Sequence, residues 1–485
     1  ALSSGLCLFY GLRYSLGEGV WFDEALTTYF IGLNWQDLFD FMAKYEANMA
    51  LYYGALKVWS GLLGSELGLR LFSLLCYAGA LWFMFLPLRR HFDTRTALTF
   101  LVLCLTHFYL ARYSVEIRGY ALALFFMAVL WFCWTRIVLD GNQKYWLLYA
   151  VTGVFALHSH FFIALGIFCL GLMALPVLRG RGDFLRWLGA HTLIGLSFLP
   201  ILAFVIFKES GQLSWLEAPD LKSLLYLVFE YSGSASQASD PIRFSLLLIM
   251  GLLIIIGLIR LTDLGKNLRL EDNQQLQFWS GALIIATVPV GIVFLASQFE
   301  PIFSTRFFMP FMPFCLMLCA IGLVISFRAW SLAPVIVLIG LLAFSAHAYT
   351  SRESNRWADA YSYLADHCQP GEAALYMNPR AQAAVNFYEK QSPTGCGLFA
   401  LPFDLLPENY FHTPEMYPAK LKGLEQYKTV WIVTSHLSDA DQTKLAEYRR
   451  MVELEVGGCQ HNYSNTAVEM LRCTVPREPE ARNSP

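Results

Sequence analysis

Long apolar runs separated by short polar segments fill most of the chain up to about residue 350. Each run approaches the roughly 20 residues that an α-helix needs to cross a bilayer. The pattern predicts spanning helices at 68–88, 96–112, 118–139, 145–160, 161–178, 185–207, 242–261, 277–297, 306–326 and 330–349. The initial stretch ALSSGLCLFYGL is too short to span and lacks the basic segment of a cleavable signal. We interpret it as the end of a further helix, so the pattern predicts a polytopic α-helical membrane protein with about 11 transmembrane helices.

A longer amphipathic stretch, residues 13–66, lies between this partial first helix and the helix predicted at 68–88. Aromatic residues recur at helical spacing within LTTYFIGLNWQDLFDFMAKYEANMALYYGALKVW. This pattern is typical of helices that lie in the membrane interface. We therefore expect one or two interfacial helices in the first outer loop.

Residues 350–485 have a different pattern. The segments AALYM, GLFAL, TVWIVTSH, MVELEVGG and AVEMLRCTV are strand-like, and NRWADAYSYLADH, RAQAAVNFYEK and ADQTKLAEYRRM are helix-like. Their alternation predicts a small soluble α/β domain, and the last ten residues, PREPEARNSP, have the composition of a disordered tail. Two domains are thus predicted, a transmembrane domain at 1–349 and an α/β domain at 350–485.

Composition agrees with a membrane protein. Hydrophobic residues make up 56% of the chain and charged residues 15%, whereas soluble domains have about 25% charged residues. The net charge is −2, so no nucleic-acid partner is implied. Membrane lipids are the partners expected of a chain with so many apolar runs.

Lys and Arg residues collect in alternate short loops, which the positive-inside rule places in the cytoplasm. These residues are Arg89, Arg90, Arg95, Arg136, Lys144, Arg179, Arg181, Arg186, Arg260, Lys266, Arg269 and Arg328. The segment WFDEA and the C-terminal domain then face the outside or periplasm of a bacterial-type inner membrane.

Four of the 11 cysteines, Cys368, Cys396, Cys459 and Cys473, lie in the C-terminal domain. An even number in an extracytoplasmic domain favours two disulfides, and four free thiols are the alternative. Three connectivities are possible, and proximity in the predicted fold favours Cys368–Cys396 and Cys459–Cys473.

Two adjacent carboxylates, Asp23 and Glu24, interrupt the apolar sequence GVWFDEALTTYF. A carboxylate at the membrane interface loses part of its hydration, which makes it usable for proton abstraction. The alternative is a helix start, where acids complement the helix dipole.

Other polar residues are predicted on the same outer face. They are Glu46, Asn48, Arg112, Tyr113, Glu116, Arg118, His158, His160 and Arg306. Each has an ordinary alternative: the arginines can pair with Glu116 or reach headgroups, and the HxH spacing is poor for a metal pair. Because a charge inside a bilayer costs about 2.5–3.5 kcal/mol on insertion scales, their collection on one face favours a functional site.

The segments WFDEA, EANMALYY, ARYSVEIRGYAL, HSHFF and TRFFMPFMP, in this order, resemble glycosyltransferase family 39 and its relatives. These are GT-C membrane glycosyltransferases, which include the protein O-mannosyltransferases and the lipid A aminoarabinose transferases. The resemblance covers about residues 1–350 and, more loosely, the C-terminal domain. It implies a polyprenyl-phosphate sugar as donor, a catalytic acid in the first outer loop, and basic residues that hold the donor phosphate.

Carried onto this chain, the resemblance makes Asp23 the base, Glu24 its neighbour and Glu46 the second acidic position. The candidates for the phosphate are Arg112, Arg118 and Arg306, and the candidates for supporting roles are Asn48, Tyr113, Glu116, His158 and His160. Relatives often have Pro where this chain has Met49-Ala50, so the turn after Glu46 is expected to differ. A divalent metal is left open, and no other cofactor is implied.

The expected reaction moves the sugar to a hydroxyl group of a lipid, glycan or protein at the outer membrane face. One carboxylate base without a nucleophilic step predicts inversion at the anomeric carbon. Two other classes of protein would require different patterns. A lipid or glycan transporter or flippase would place its polar site near the bilayer midplane on paired broken helices, which the sequence does not show. A non-catalytic scaffold would not need acids and arginines on one face.

Overall fold

A computed structural model of the protein describes residues 19–44, 46–207, 216–234, 240–264, 274–326, 340, 357–376, 385–390, 392–400, 426–435, 450, 458–464 and 468–475. The predicted first helix, the predicted tail and all but one residue of the predicted 330–349 helix lie outside the described residues. The chain divides into two compact units. We call residues 1–15 with 36–352 the helical unit and residues 16–35 with 353–485 the C-terminal unit.

The described helices account for most of the helical unit. In chain order they are α1 Phe22–Gly32, α2 Trp35–Lys44, α3 Ala50–Ser60, α4 Glu66–His91, α5 Thr94–Thr106, α6 Phe108–Ser114, α7 Tyr120–Trp134, α8 Tyr145–Ser159, α9 Ile163–Ala174, α10 Gly180–Phe207, α11 Leu221–Tyr231, α12 Asp240–Leu264, α13 Gln274–Ala296, α14 Met312–Ser326 and α15 Trp357–His367. A π-helical turn, Thr135–Leu139, continues α7, and 3-10 turns follow α9 at Leu175–Val177 and precede α14 at Thr305–Phe308. Helices α1 and α15 belong to the C-terminal unit.

Within the described residues, five helices are long and apolar enough to cross a membrane. They are α4, α7 with its π-helical turn, α10, α12 and α13. Helices α5 and α6 together make a sixth if the bent pair is one span, and α9 and α14 are shorter apolar helices. All of these overlap predicted spans, while the number of 11 transmembrane helices stays a prediction.

The span predicted at 96–112 is not straight, because α5 and α6 meet at an angle of 74° at His107. His107 has extended backbone angles, and its Nε2 lies 3.2 Å from the carbonyl oxygen of Tyr231 on α11. Neither Pro nor Gly marks this break in the sequence. A side chain that bonds outside its own helix can end that helix, and here it turns α6, which carries Arg112, away from α5.

The core of the helical unit is a continuous cluster of buried aromatic and aliphatic side chains. Trp131 stacks on Trp134 with ring centroids 5.0 Å apart. The rings of Phe278 and Phe314 are both roughly perpendicular to Trp131, with centroids 5.1 Å from it. Such offset and edge-to-face pairs are the favoured aromatic geometries. They join α7, α13 and α14 into one packed body.

The C-terminal unit contains a five-stranded sheet among its described residues. The strands are β1 Ala373–Tyr376, β2 Gly397–Ala400, β3 Thr429–Ser435, β4 Cys459–Ser464 and β5 Val468–Thr474, in the spatial order β2-β1-β3-β5-β4. Strand β1 pairs in parallel with β2 and β3, and β5 pairs antiparallel with β3 and β4. Parallel neighbours require a crossover, and residues 385–390, between β1 and β2, are helical. The predicted strand MVELEVGG lies almost entirely outside the described residues.

Two disulfides, Cys368–Cys396 and Cys459–Cys473, belong to this sheet region, with Cα atoms 6.0 and 4.0 Å apart. The second joins residues that face each other across β4 and β5. These are the two pairings that the sequence favours. In the described part of the helical unit the cysteines are free thiols.

Candidate active site

The two acids of WFDEA lie in the first turn of α1 and differ in their surroundings. The Trp21 backbone N–H, at the helix start, donates a hydrogen bond to Glu24 Oε2 over 3.2 Å. Glu24 is 1% exposed, whereas Asp23 is half-buried. An acid at the third helical position that bonds back to the helix start is one half of a capping box. Glu24 therefore has the helix-start role, and Asp23 is the more accessible carboxylate.

In the helical unit, three predicted site segments meet around Gly119. A Cβ atom at Gly119 would lie 3.0 Å from Met49 Sδ and 3.2 Å from the Ser159 carbonyl oxygen. Asn48 Oδ1 accepts a hydrogen bond from the Phe161 backbone N–H over 3.0 Å. The turn that holds half-buried Glu46 and Asn48, the loop before α7 and the end of α8 are therefore in direct contact.

The loop that carries Glu116 and Arg118 is anchored by α4. Ser73 Oγ donates to the Glu116 carbonyl oxygen over 2.7 Å, and Arg70 Nη1 donates to the Val115 carbonyl oxygen over 3.3 Å. Arg70 is itself held by Glu66 through a 2.9 Å ion pair. Two hydrogen bonds from α4 therefore hold the backbone of this loop, and Glu116 is 4% exposed.

A cationic group forms around His160, which is 1% exposed. Arg118 and Arg306 both act electrostatically on this ring. The His160 ring centroid lies 5.9 Å from Tyr120 and 5.5 Å from Phe307, and the Arg306 guanidinium sits 5.7 Å from the Phe307 centroid. We call Arg118, His160 and Arg306 the arginine–histidine group. Two guanidinium groups at one place can hold a phosphate through paired N–H donors.

Arg112 has a different neighbour, Glu230, which the sequence did not predict as a site residue. Burial raises the pKa of Glu230 to about 7, opposed by a hydrogen bond with Thr305 and by the charge of Arg112. Within the described residues, its Oε2 is buried without a hydrogen-bond partner. The Tyr109 hydroxyl donates to the Thr305 carbonyl oxygen over 2.5 Å, and the Arg112 guanidinium lies 5.2 Å from the Tyr113 centroid. The turn at Thr305–Phe308 thus connects Glu230 with the arginine–histidine group.

The two histidines of HSHFF have separate surroundings. His158 is half-buried and hydrogen-bonds the Ser197 backbone on α10, whereas His160 belongs to the arginine–histidine group. Across the described residues, no group of three or more His, Cys, Asp or Glu side chains could hold a metal ion.

Comparison with known proteins identifies the fold. No protein-family model and no curated protein sequence matches the chain. The crystal structure of ArnT from Cupriavidus metallidurans bound to undecaprenyl phosphate matches with a TM-score of 0.59 and 12% identity, over 99% of this chain and 99% of that one. The arabinofuranosyltransferase AftD from Mycobacteria matches with a TM-score of 0.52 and 13% identity, over 98% of this chain and 40% of that one.

These structural neighbours are GT-C glycosyltransferases, so this chain has the fold of that class. The predicted resemblance is thereby confirmed at the level of the fold. The roles of the individual site residues stay predictions.

We predict that Glu230 makes stability depend on pH. Its pKa rises from about 4.5 to about 7 on folding, so the proton favours the folded state and this stability is lost as pH rises through about 7. The midpoint temperature of thermal unfolding in detergent should decrease as the pH rises from about 4.5 to about 7. The midpoint temperature of the Glu230→Gln variant should decrease less over the same pH range.

Glu217→Gln is the matched control, because Glu217 is an exposed acid in the same described segment. It should keep the wild-type pH dependence. An unchanged slope in Glu230→Gln would mean that Glu230 titrates near its ordinary pKa in the folded protein.

Proposed function

We propose that the protein is a membrane glycosyltransferase that moves a sugar from a polyprenyl-phosphate donor to an acceptor hydroxyl, with inversion. The active face is the outer or periplasmic face of a bacterial-type inner membrane, and the C-terminal domain lies on that side. The acceptor is a lipid, a glycan or a protein. The observation that carries the proposal is the arginine–histidine group, Arg118, His160 and Arg306, inside a GT-C fold.

Asp23 has the role of general base. Its carboxylate takes the proton from the acceptor hydroxyl as the hydroxyl oxygen attacks the anomeric carbon. The bond from that carbon to the phosphate oxygen breaks, and polyprenyl phosphate leaves with the bonding electrons. A single displacement of this kind inverts the anomeric centre.

The arginines act on the leaving group. Negative charge grows on the phosphate oxygen as the bond breaks, and fixed guanidinium groups stabilise it without reorganisation. Arg118 and Arg306 are proposed to bind this phosphate, and Arg112 to contribute beside Glu230. ArnT was crystallised with undecaprenyl phosphate, which supports the same class of lipid as the donor here.

A release assay tests the proposal. The purified protein in nanodiscs is given radiolabelled polyprenyl-phosphate hexoses and pentoses with a membrane extract as acceptor. We expect label in a new product and free polyprenyl phosphate in equal amount for at least one donor. A protein that moves a fluorescent polyprenyl phosphate across vesicles but never releases it from a sugar would be a flippase instead.

A further inference from the structure

The chain that leads into α1 is held by the C-terminal unit. The Val20 backbone N–H donates a hydrogen bond to the Tyr388 hydroxyl oxygen over 2.6 Å, across 368 positions of sequence. Gly19, one residue earlier, has φ +70°, which favours glycine. A Cβ atom there would also collide with the Tyr388 hydroxyl and lie 3.0 Å from Ala358 Cβ. The contact is therefore closely fitted.

The packing of α1 fixes the direction of Asp23. Val20 and Ala25 are fully buried in one cluster with Trp357 and Tyr361 of α15. Ala25 lies two positions after Asp23, which is about 200° around a helix. Asp23 therefore lies on the opposite side of α1 from Ala25, and its side chain is half-buried. Any rotation of α1 on this unit would move the carboxylate.

The support beneath Tyr388 is itself well connected. The Tyr388 ring stacks on Tyr361 with centroids 5.5 Å apart. The Tyr361 hydroxyl donates a hydrogen bond to Glu389 Oε2 over 2.7 Å and also contacts the Ser392 carbonyl oxygen. Glu389 Oε1 accepts the Thr394 backbone N–H over 3.0 Å. These contacts hold the Tyr388 ring, and with it the hydroxyl group, in a fixed position.

We propose that Tyr388 is a positioning residue for sugar transfer, an inference that rests on the proposed function. Its hydroxyl group holds the Val20 amide, which fixes the start of α1 and the orientation of the Asp23 carboxylate. The C-terminal unit is then part of the machinery that prepares the base for reaction.

Tyr388→Phe tests this role, because it removes the hydroxyl and keeps the ring that stacks on Tyr361. We expect kcat for release of polyprenyl phosphate to fall roughly tenfold, since misplacing a catalytic group costs rate. The KM for the donor should stay the same. Tyr363→Phe is the matched control: its hydroxyl donates to the Asn462 carbonyl oxygen over 3.0 Å in the same unit, and its loss should leave kcat unchanged.

A double-mutant cycle separates positioning from general damage. If Tyr388 acts through Asp23, then Asp23→Asn with Tyr388→Phe should be no slower than Asp23→Asn alone. An equal further loss in the Asp23→Asn background would overturn the proposal, as would a normal kcat in Tyr388→Phe.

Amide hydrogen exchange gives a readout that does not depend on the reaction. Residues 19–32 should exchange faster in Tyr388→Phe than in the wild-type protein, while β1 and β3 stay protected. Normal transfer by Asp23→Asn would remove the proposed function, and amide exchange alone would then decide whether the Tyr388 hydroxyl holds the start of α1. Faster exchange at 19–32 would uphold it, and unchanged exchange would overturn it.

Discussion

Replacing Asp23 with Asn is expected to lower the rate of sugar transfer by roughly 10²–10⁴-fold, the usual cost of losing a general base. Asn has nearly the same size as Asp and keeps one oxygen that accepts hydrogen bonds, but it cannot take the acceptor proton. Binding of undecaprenyl phosphate should stay near the wild-type level, because the proposed phosphate ligands are arginines of the helical unit. The rate is measured as release of polyprenyl phosphate, and binding by titration in detergent.

Two controls separate proton abstraction from the helix start. Glu24→Gln keeps an oxygen that can accept from the Trp21 N–H, so α1 should still begin there and most of the activity should remain. Asp37→Asn makes the same change at an exposed first-turn position of α2 and should leave the rate unchanged. If Asp23→Asn transfers sugar normally while it folds and binds lipid, both acids of WFDEA serve only the helix.

The transmembrane helices could be predicted because a long apolar run with few charges is rarely anything but a spanning helix. The runs at 68–88 and 277–297 correspond to α4 and α13. The bend at His107 could not be predicted, because it depends on a contact with Tyr231, 124 positions later. Periodicity reports only on neighbours within a few turns.

The candidate site likewise has some residues that local sequence predicts and others that depend on distant contacts. Loop positions predict Arg118, His160 and Arg306 on one face, and in the structure the charges of both arginines act on His160. Glu230 was missed because in LVFEY it looks like the solvent-facing acid of an amphipathic helix. Its burial comes from tertiary placement of α11 beside Arg112.

The placement of α1 could not be predicted either. Local sequence shows a helix start at WFDEA, but nothing near it indicates that residues 16–35 group with 353–485. That grouping depends on Tyr388 and Trp357, far along the chain. The disulfides were easier, because four cysteines and short separations leave few connectivities.

Replacing Arg306 with Ala is expected to weaken the binding of undecaprenyl phosphate by roughly 10- to 100-fold, the equivalent of one lost charge-assisted hydrogen-bond pair. Arg118→Ala should have a similar effect, because the charges of both arginines act on His160. Arg306→Lys should be intermediate, since Lys keeps the charge but loses the planar pair of donors. Affinity is measured by titration of the purified protein in detergent.

Undecaprenol, which has the same tail without phosphate, distinguishes phosphate recognition from tail recognition. The wild-type protein should bind undecaprenol more weakly than undecaprenyl phosphate, and Arg306→Ala should bind both about equally. Arg186→Ala is the matched control, because Arg186 is exposed and pairs with Asp183 at 2.9 Å within the same unit, and its loss should change neither affinity. Wild-type affinity for undecaprenyl phosphate in Arg306→Ala would mean that Arg306 is an interface anchor. Because Asp23→Asn should spare this affinity while Arg306→Ala reduces it, the two changes together assign one carboxylate to catalysis and one guanidinium to the donor.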